Sequence, residues 1–254
     1  AARPGHRNLC RTWCSPSRCR RTCRRPRRSR GSRLRQVLLG GEQELVDPGV
    51  DLDGVVTLRR MEDARRIADL MPTIANVVII GGGFIGLEIA HSALALGKNT
   101  VLIEVAPRVL GRSVATQISA HVETRSRAAG ITLLTGLGVM AIEGENGRVK
   151  GVKTTDGAVY PADIVVIGTG ALPNVELATG AGLVIDNGIV VDEHMRTSVD
   201  HVYAIGDCAS YDHFHAGRRV RLESVQNATD QAKHVARSIV GRATPFREVA
   251  WFWS

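Results

Sequence analysis

The stretch from Asn76 to Glu104 leaves the chain few ways to fold. It opens on Asn-Val-Val-Ile-Ile, a short run rich in β-branched residues that suits a strand buried on both faces of a parallel sheet. Gly81, Gly83 and Gly86 follow as G-x-G-x-x-G. In such a turn the first glycine lets the chain leave the strand sharply. The second lets a pyrophosphate approach the backbone, and the third lets the next helix pack close to the sheet. Ile85, Ile89, Ala90, Ala93 and Leu94 then recur at helical spacing, and Gly97 supplies a left-handed C-cap. Such a helix begins with its N–H groups aimed at a phosphate. A second strand, 100–104, ends on Glu104, eighteen residues after Gly86, where a carboxylate can accept both hydroxyls of an adenosine ribose. A lone G-x-G-x-x-G is most simply a glycine-rich turn, but strand, glycines, helix, strand and terminal acid in this order point to a dinucleotide. The candidate NAD(H) site is therefore Gly81, Gly83, Phe84, Ile85, Gly86 and Glu104. Glu104 favours NAD over NADP because it repels a 2′-phosphate; Arg108 and Arg112 pull the other way unless they are ordinary surface arginines.

Beyond this unit the pattern predicts a helix over 113–129 and short strands at 131–134, 139–143, 148–154 and 158–160, with an Asp156-Gly157 turn before the last. Residues 163–168 read as another buried strand. The expected fold class is α/β: a doubly wound, Rossmann-like dinucleotide-binding domain, over roughly residues 54–187, closed by a β-meander in place of a third helical crossover.

Composition bears mainly on what precedes this domain. The 254-residue chain carries a formal charge of +8, yet residues 1–35 hold thirteen Arg and no Asp, Glu or Lys. The 33 basic residues less those thirteen leave 20 against 25 acidic ones, so the body is net acidic and has the wrong sign to attract polyanions. Four of the five cysteines, Cys10, Cys14, Cys19 and Cys23, lie in the same basic segment, leaving Cys208 alone in a body that reads as cytoplasmic and free of a disulfide framework. Four readings compete for that segment: a metal site, a redox pair at Cys14 and Cys19, an organelle-targeting peptide, and an out-of-frame reading of a GC-rich gene. Arg with Pro, Ser and Cys but no Lys favours the last. No apolar run is long enough to cross a bilayer, and no apolar stretch follows the basic start as a secretory signal requires.

Five stretches, in order, resemble a known family: VVIIGGGFIGLEIA from Val77, IVVIGTGALPN from Ile164, TSVDHVYAIGDCA from Thr197, RLESVQNA from Arg221, and the terminal WFWS. Over about residues 47–254 the chain is similar to the ferredoxin and rubredoxin reductase branch of the FAD-dependent pyridine nucleotide-disulphide oxidoreductases. The resemblance implies part of a second, FAD-binding domain of the same type. In it, Gly206 and a strand-end Asp207 approach the ribityl chain, and Glu223, Ser224 and Val225 open a helix whose N–H groups at Val225 and Gln226 polarise the flavin ring. Trp253 would border the flavin or start a further domain. On the nucleotide side the resemblance adds Gly168 and Gly170, and places Glu88 near the nicotinamide; the plainer alternative for Glu88 is a first-turn acid serving the helix dipole. The implied domains are a basic segment at 1–41, an NAD(H) unit with lead-in at 42–188, the C-terminal part of an FAD domain at 189–248, and the start of an interface domain at 249–254.

The implied activity passes hydride from NADH to FAD and then single electrons to ferredoxin, rubredoxin or a similar iron-sulfur partner, with no obligatory acid or nucleophile. The family's first G-x-G-x-x-G, its flavin-side lysine and its C-terminal domain have no counterpart in the sequence, and residues 35–41 resemble only the strand leading to a lost turn. The chain is thus expected to be truncated at both ends, with a whole NAD unit and half a flavin site. A flavin-free NAD-binding remnant and a basic-tailed nucleic-acid adaptor compete with the reductase. Neither nucleic acid nor membrane is expected to bind the chain from Val46 onward. His213 and His215, near Asp212 and Cys208, read as an exposed polar loop, and no metal is expected.

Overall fold

Alternation within the valine and isoleucine runs decides which side of the sheet each residue serves. The computed structural model of the chain describes residues 49–251. The basic segment with Cys10, Cys14, Cys19 and Cys23, the lead-in 42–48, and Trp253 lie outside the described residues. In chain order the first unit contains β1 (Val55–Thr57), α1 (Met61–Leu70), β2 (Asn76–Ile80), α2 (Phe84–Ala95), β3 (Asn99–Glu104), α3 (Thr116–Ala129), β4 (Thr132–Thr135), β5 (Val139–Glu145), β6 (Arg148–Thr154), β7 (Val159–Pro161) and β8 (Ile164–Ile167).

Five of these strands form a parallel sheet in the order β1-β8-β2-β3-β4. The chain moves outward from β2 through β3 to β4 by helical crossovers. It then runs through the antiparallel meander β5-β6-β7 and returns on the far side of β2 as β8. The order therefore reverses between β2 and β8, and such a reversal opens a crevice outside the carboxyl ends of the strands. Val77, Ile79, Leu102, Ile164 and Val166 pack with Leu87, Ile89, Ala90 and Ala93 of α2 and with Ile67 of α1. Val78, Ile80, Ile103, Val165 and Ile167 pack with Ile142, Val149 and Val152 of the meander. Both faces of β2 are thus dry, each fully buried Val or Ile contributing about 1.5–3 kcal/mol.

The helix ends follow local chemistry. At the end of α2, Gly97 (φ +74°) donates to Leu94 O at 2.8 Å and Lys98 N to Ala93 O at 3.1 Å, the paired bonds of a Schellman cap. α3 starts at Thr116 rather than 113, because Ser113 and Val114 both donate to Leu110 O and the chain is still turning there. Two elements up to β8 have no counterpart among the expected ones. β1 is only three residues long, and α1 buries Ile67 alone; its start is fixed by Asp63, whose Oδ2 accepts from Arg59 N (3.0 Å) and Arg60 N (2.8 Å).

Asp163 ties β8 to β2 ahead of the crevice. Its Oδ2 accepts from Ala75 N (2.9 Å), Asn76 N (2.8 Å) and Asn76 Nδ2 (3.2 Å). Burial pushes its carboxyl upward, but these bonds and the nearby Arg148 charge outweigh it and hold the group below the ordinary aspartate range. A carboxylate with a depressed folded pKa stabilises the fold above its unfolded value, about 3.9, and that contribution is lost as pH falls through the folded value. Asp163→Ala is expected to cost about 1–2 kcal/mol at neutral pH, the low end for a half-exposed acceptor. In urea melts the gap between variant and parent should close in strong acid.

Residues C-terminal to β8 form α4 (Glu176–Gly180), β9 (Ile189–Val191), β10 (Ala209–His213), β11 (Arg218–Val220) and α5 (Val225–Ile239). The sheet order is β11-β10-β9, and Val191, Met195, Tyr211, Val235 and Phe246 form its core. His213 is not in an exposed loop: strand alternation turns Tyr211 and His213 inward and Asp212 outward, and Nδ1 of His213 accepts from Ala216 N at 3.1 Å. Burial, then the charge of His215, pushes the His213 pKa down. Residues 203–205 do not form a strand either, since a single bridge between Arg196 and Tyr203 is all the ladder pairing they have.

Candidate functional site

Glycine placement shapes the crevice between β2 and β8. Gly81 leaves β2 with φ +111° and donates to Ile103 O at 2.8 Å; a β-carbon there would lie 2.5 Å from Gly168 O. Gly168 in turn donates to Ile80 O at 2.8 Å, locking the two strand exits together. A β-carbon on Gly86 would overlap the Gly81 carbonyl oxygen, so only glycine lets α2 start this close to the turn. Gly83 differs from both. It is the N-cap of α2 in extended conformation, and none of the described residues lies within 4 Å of where its β-carbon would be. The fold therefore requires Gly81 and Gly86 for its own packing, while Gly83 keeps a space open. The first intrahelical bond of α2 runs from Leu87 N to Gly83 O (3.0 Å), so the amides before it face out of the helix end. Ile85 is 48% exposed beside this opening, and Leu87 fills the inward position that helical spacing assigned to Ile85.

Glu104 closes one side of the cradle. Its Oε2 accepts from Gly82 N at 2.6 Å and its Oε1 from Ala106 N at 2.7 Å. Charge-assisted bonds of this length fix the carboxylate, yet each oxygen keeps a lone pair for another donor. Leu110, held at φ +53°, donates to Gly82 O at 2.9 Å and wraps the following loop onto the glycine turn. Arg108 serves that loop: Nη1 donates to Val114 O (2.9 Å) and Ser119 Oγ (2.6 Å), and Nη2 to Gly111 O (2.7 Å). These bonds use three of its five N–H donors and anchor the guanidinium to the loop. Arg112 remains exposed, with Nη2 3.4 Å from where a β-carbon on Gly170 (φ +113°) would sit. Between Gly168 and Gly170, Thr169 Oγ1 is buried without a hydrogen-bond partner among the described residues. Glu88 is exposed on the fifth residue of α2, in its second turn, so it does not serve as a first-turn dipole acid.

A second group gathers at the start of α5. Gly206 (φ +74°) begins a tight turn through Cys208 and donates to Gln231 Oε1 at 2.7 Å; a β-carbon there would touch Ala228 Cβ at 3.4 Å. Ser224 caps α5, its Oγ accepting from Asn227 N at 3.1 Å and donating to Trp251 O at 3.4 Å. Tyr211 donates to Asn227 Oδ1 at 3.0 Å, and burial pushes its phenol up to about 12 against the opposing bond with Gln231. Val225, at the helix start, is 77% exposed, and the exposed Asp207 carboxylate has no bond to another described residue. Arg221 joins the two groups: Nη1 donates to Asp207 O (3.0 Å) and Glu223 Oε1 (2.6 Å), Nη2 to Ala171 O (3.4 Å). In the sequence Arg221 shows only as part of the RLESVQNA stretch, and Gly82 only as the middle of three consecutive glycines.

Residues 31–232 match the family described as pyridine nucleotide-disulphide oxidoreductase. The chain belongs to that family. Among curated pyridine nucleotide-disulphide oxidoreductase relatives, it is 42% identical to rhodocoxin reductase of Rhodococcus erythropolis over 207 residues, covering 82% of this chain and 48% of that one. It is also 42% identical to rubredoxin-NAD(+) reductase of Pseudomonas putida over 212 residues, covering 84% and 55%. The crystal structure of a ferredoxin reductase from Rhodopseudomonas palustris superposes with a TM-score of 0.80 at 43% identity, covering 84% of this chain and 52% of that one. The chain spans about half the length of the curated relatives it matches. Among the described residues, no helix is long and apolar enough to cross a membrane, and no three His, Cys, Asp or Glu side chains converge to hold a metal ion.

Proposed function

We propose that this chain carries the nucleotide unit and a flavin-side half-site of an NADH-dependent, FAD-containing oxidoreductase whose acceptor is ferredoxin, rubredoxin or a similar iron-sulfur protein. The observation that carries the nucleotide part is the room that the described residues leave at Gly83, set between two glycines the fold itself requires and faced by the amides of α2. A pyrophosphate fits there by backbone hydrogen bonds and helix-end electrostatics. Phe84 and Ile85 would line its mouth, Glu104 would take the adenosine ribose, and Gly168 and Gly170 would border the nicotinamide half, with Glu88 close by. On the flavin side, the exposed Asp207, which has no bond to another described residue, and the exposed α5 terminus at Glu223, Ser224 and Val225, beside Gly206, fit a flavin's hydroxyls and electron-poor ring. Bound flavin supplies the step from two-electron to one-electron transfer. The names of the relatives, rubredoxin-NAD(+) reductase among them, support the acceptor class. Domain limits of 42–188 and 189–248 follow the two groups of residues. The cytoplasm suits this reading, because NADH is available there and the free thiol of Cys208 stays reduced.

A second reading, NAD(H) binding without flavin turnover, draws on the single G-x-G-x-x-G at Gly81–Gly86. Anaerobic mixing of FAD-loaded chain with NADH separates the two. The reductase reading expects near-stoichiometric bleaching of the visible flavin band. NADH binding with no retained flavin would instead support the second.

A further inference from the structure

Arg221 lies where the nucleotide-side and flavin-side groups meet, and its arm is built in. Its side chain is 12% exposed, and its guanidinium reaches four acceptors on four separate stretches of chain. Nε donates to Asn187 Oδ1 (3.3 Å), Nη1 to Asp207 O (3.0 Å) and Glu223 Oε1 (2.6 Å), and Nη2 to Ala171 O (3.4 Å). Ala171 follows Gly168 and Gly170 on the loop leaving β8, whereas Asp207 and Glu223 flank the start of α5. The backbone makes room for the arm: Gly188 adopts φ +130°, and a β-carbon there would lie 3.0 Å from Arg221 Cδ and 2.7 Å from Cys208 O.

We propose that Arg221 is a positioning residue that sets the separation between the loop of Gly168–Ala171 and the Asp207–Val225 terminus of α5, and so between a bound nicotinamide and a bound flavin. This rests on the function proposed above. A planar fork with five N–H donors can hold acceptors in several directions at once; a lysine ammonium at the same place is a compact point donor and cannot span them. The bond to Glu223 is shielded from solvent on the arginine side, so it orients the fork rather than fluctuating as a surface pair does. The chemistry this serves is sensitive to distance, since a misplacement of about 1 Å between reacting centres can cost about 100-fold in rate.

The test uses the full chain with Arg221→Lys and Arg221→Gln. Lysine keeps the charge and most of the stem, so at least one variant retains the fold. By hydrogen–deuterium exchange, the segment 168–174 should exchange about tenfold faster in both variants, while 81–86 stays as in the parent. NADH affinity by calorimetry should stay within about twofold, and in flavin-loaded protein the limiting rate of flavin reduction should fall about tenfold or more, a split a merely stabilising residue would not give. Unchanged exchange at 168–174, or parallel losses of affinity and rate, would overturn the proposal. Should the parent itself fail to retain flavin, the functional reading fails, and the exchange result still decides whether Arg221 holds the Gly168–Ala171 loop to the α5 terminus.

Discussion

Gly86→Ala is expected to remove NADH binding and to cost about 3 kcal/mol of stability. The added methyl group clashes with backbone rather than with a movable side chain: its nearest neighbours are the carbonyl oxygen of Gly81 and, at 3.2 Å, the Gly81 carbonyl carbon, with Ile79 Cγ2 farther off at 3.4 Å. Either the turn must open or α2 must lift from β2, and both break contacts in a close-packed interior, where overpacking typically costs about 1–3 kcal/mol and sometimes more. Because Gly81 also touches Gly168, the displacement spreads to the β8 exit. Urea unfolding gives the first quantity. Calorimetric titration gives the second, with an expected loss of at least about 100-fold, or roughly 2.7 kcal/mol.

Glu104→Gln should narrow the preference for NADH over NADPH. The carboxylate holds Gly82 N and Ala106 N on separate oxygens; glutamine keeps one acceptor and turns an NH2 group toward the other amide. One partly buried N–H then loses its partner, at about 1–3 kcal/mol. The negative charge that repels a 2′-phosphate is gone as well. Arg108 is not expected to take over that phosphate, because its guanidinium is anchored to the loop by Val114 O, Ser119 Oγ and Gly111 O. Affinity for NADH should therefore fall by about tenfold while affinity for NADPH changes less, with Kd values for both nucleotides measured on both proteins.

The part of the molecule that reads directly from sequence is the part whose geometry is fixed by neighbours in the chain. From β2 to β3 the glycine spacing, the Gly97 cap and the β-branched runs each specify local conformation, and the elements fall within a residue or so of expectation. The same holds for β6, bounded by tight turns at Asn146-Gly147 and Asp156-Gly157. Elements defined by distant partners were not legible. β1 is a strand only because β8 pairs with it, α1 has one buried residue to mark its face, and His213 turns inward beside Tyr211 only because β10 is paired with β9 and β11. Residues 203–205 show the converse, an apolar run with too little pairing to make a strand. In the site, Gly81, Gly86 and Glu104 were visible because their roles are local. Arg221 was not, since its meaning depends on four acceptors spread from Ala171 to Glu223.

The claim that the cradle at Gly81–Gly86 holds the dinucleotide comes down to position 83, the glycine for which the protein itself has no packing need. Calorimetric titration of NADH into Gly83→Ala, beside the parent, tests it most directly. Stability should stay within about 1 kcal/mol of the parent, the usual scale of an N-cap change, with affinity at least about tenfold weaker because the new methyl group occupies the phosphate's volume. A folded Gly83→Ala that binds NADH as tightly as the parent would contradict it and place the nucleotide elsewhere.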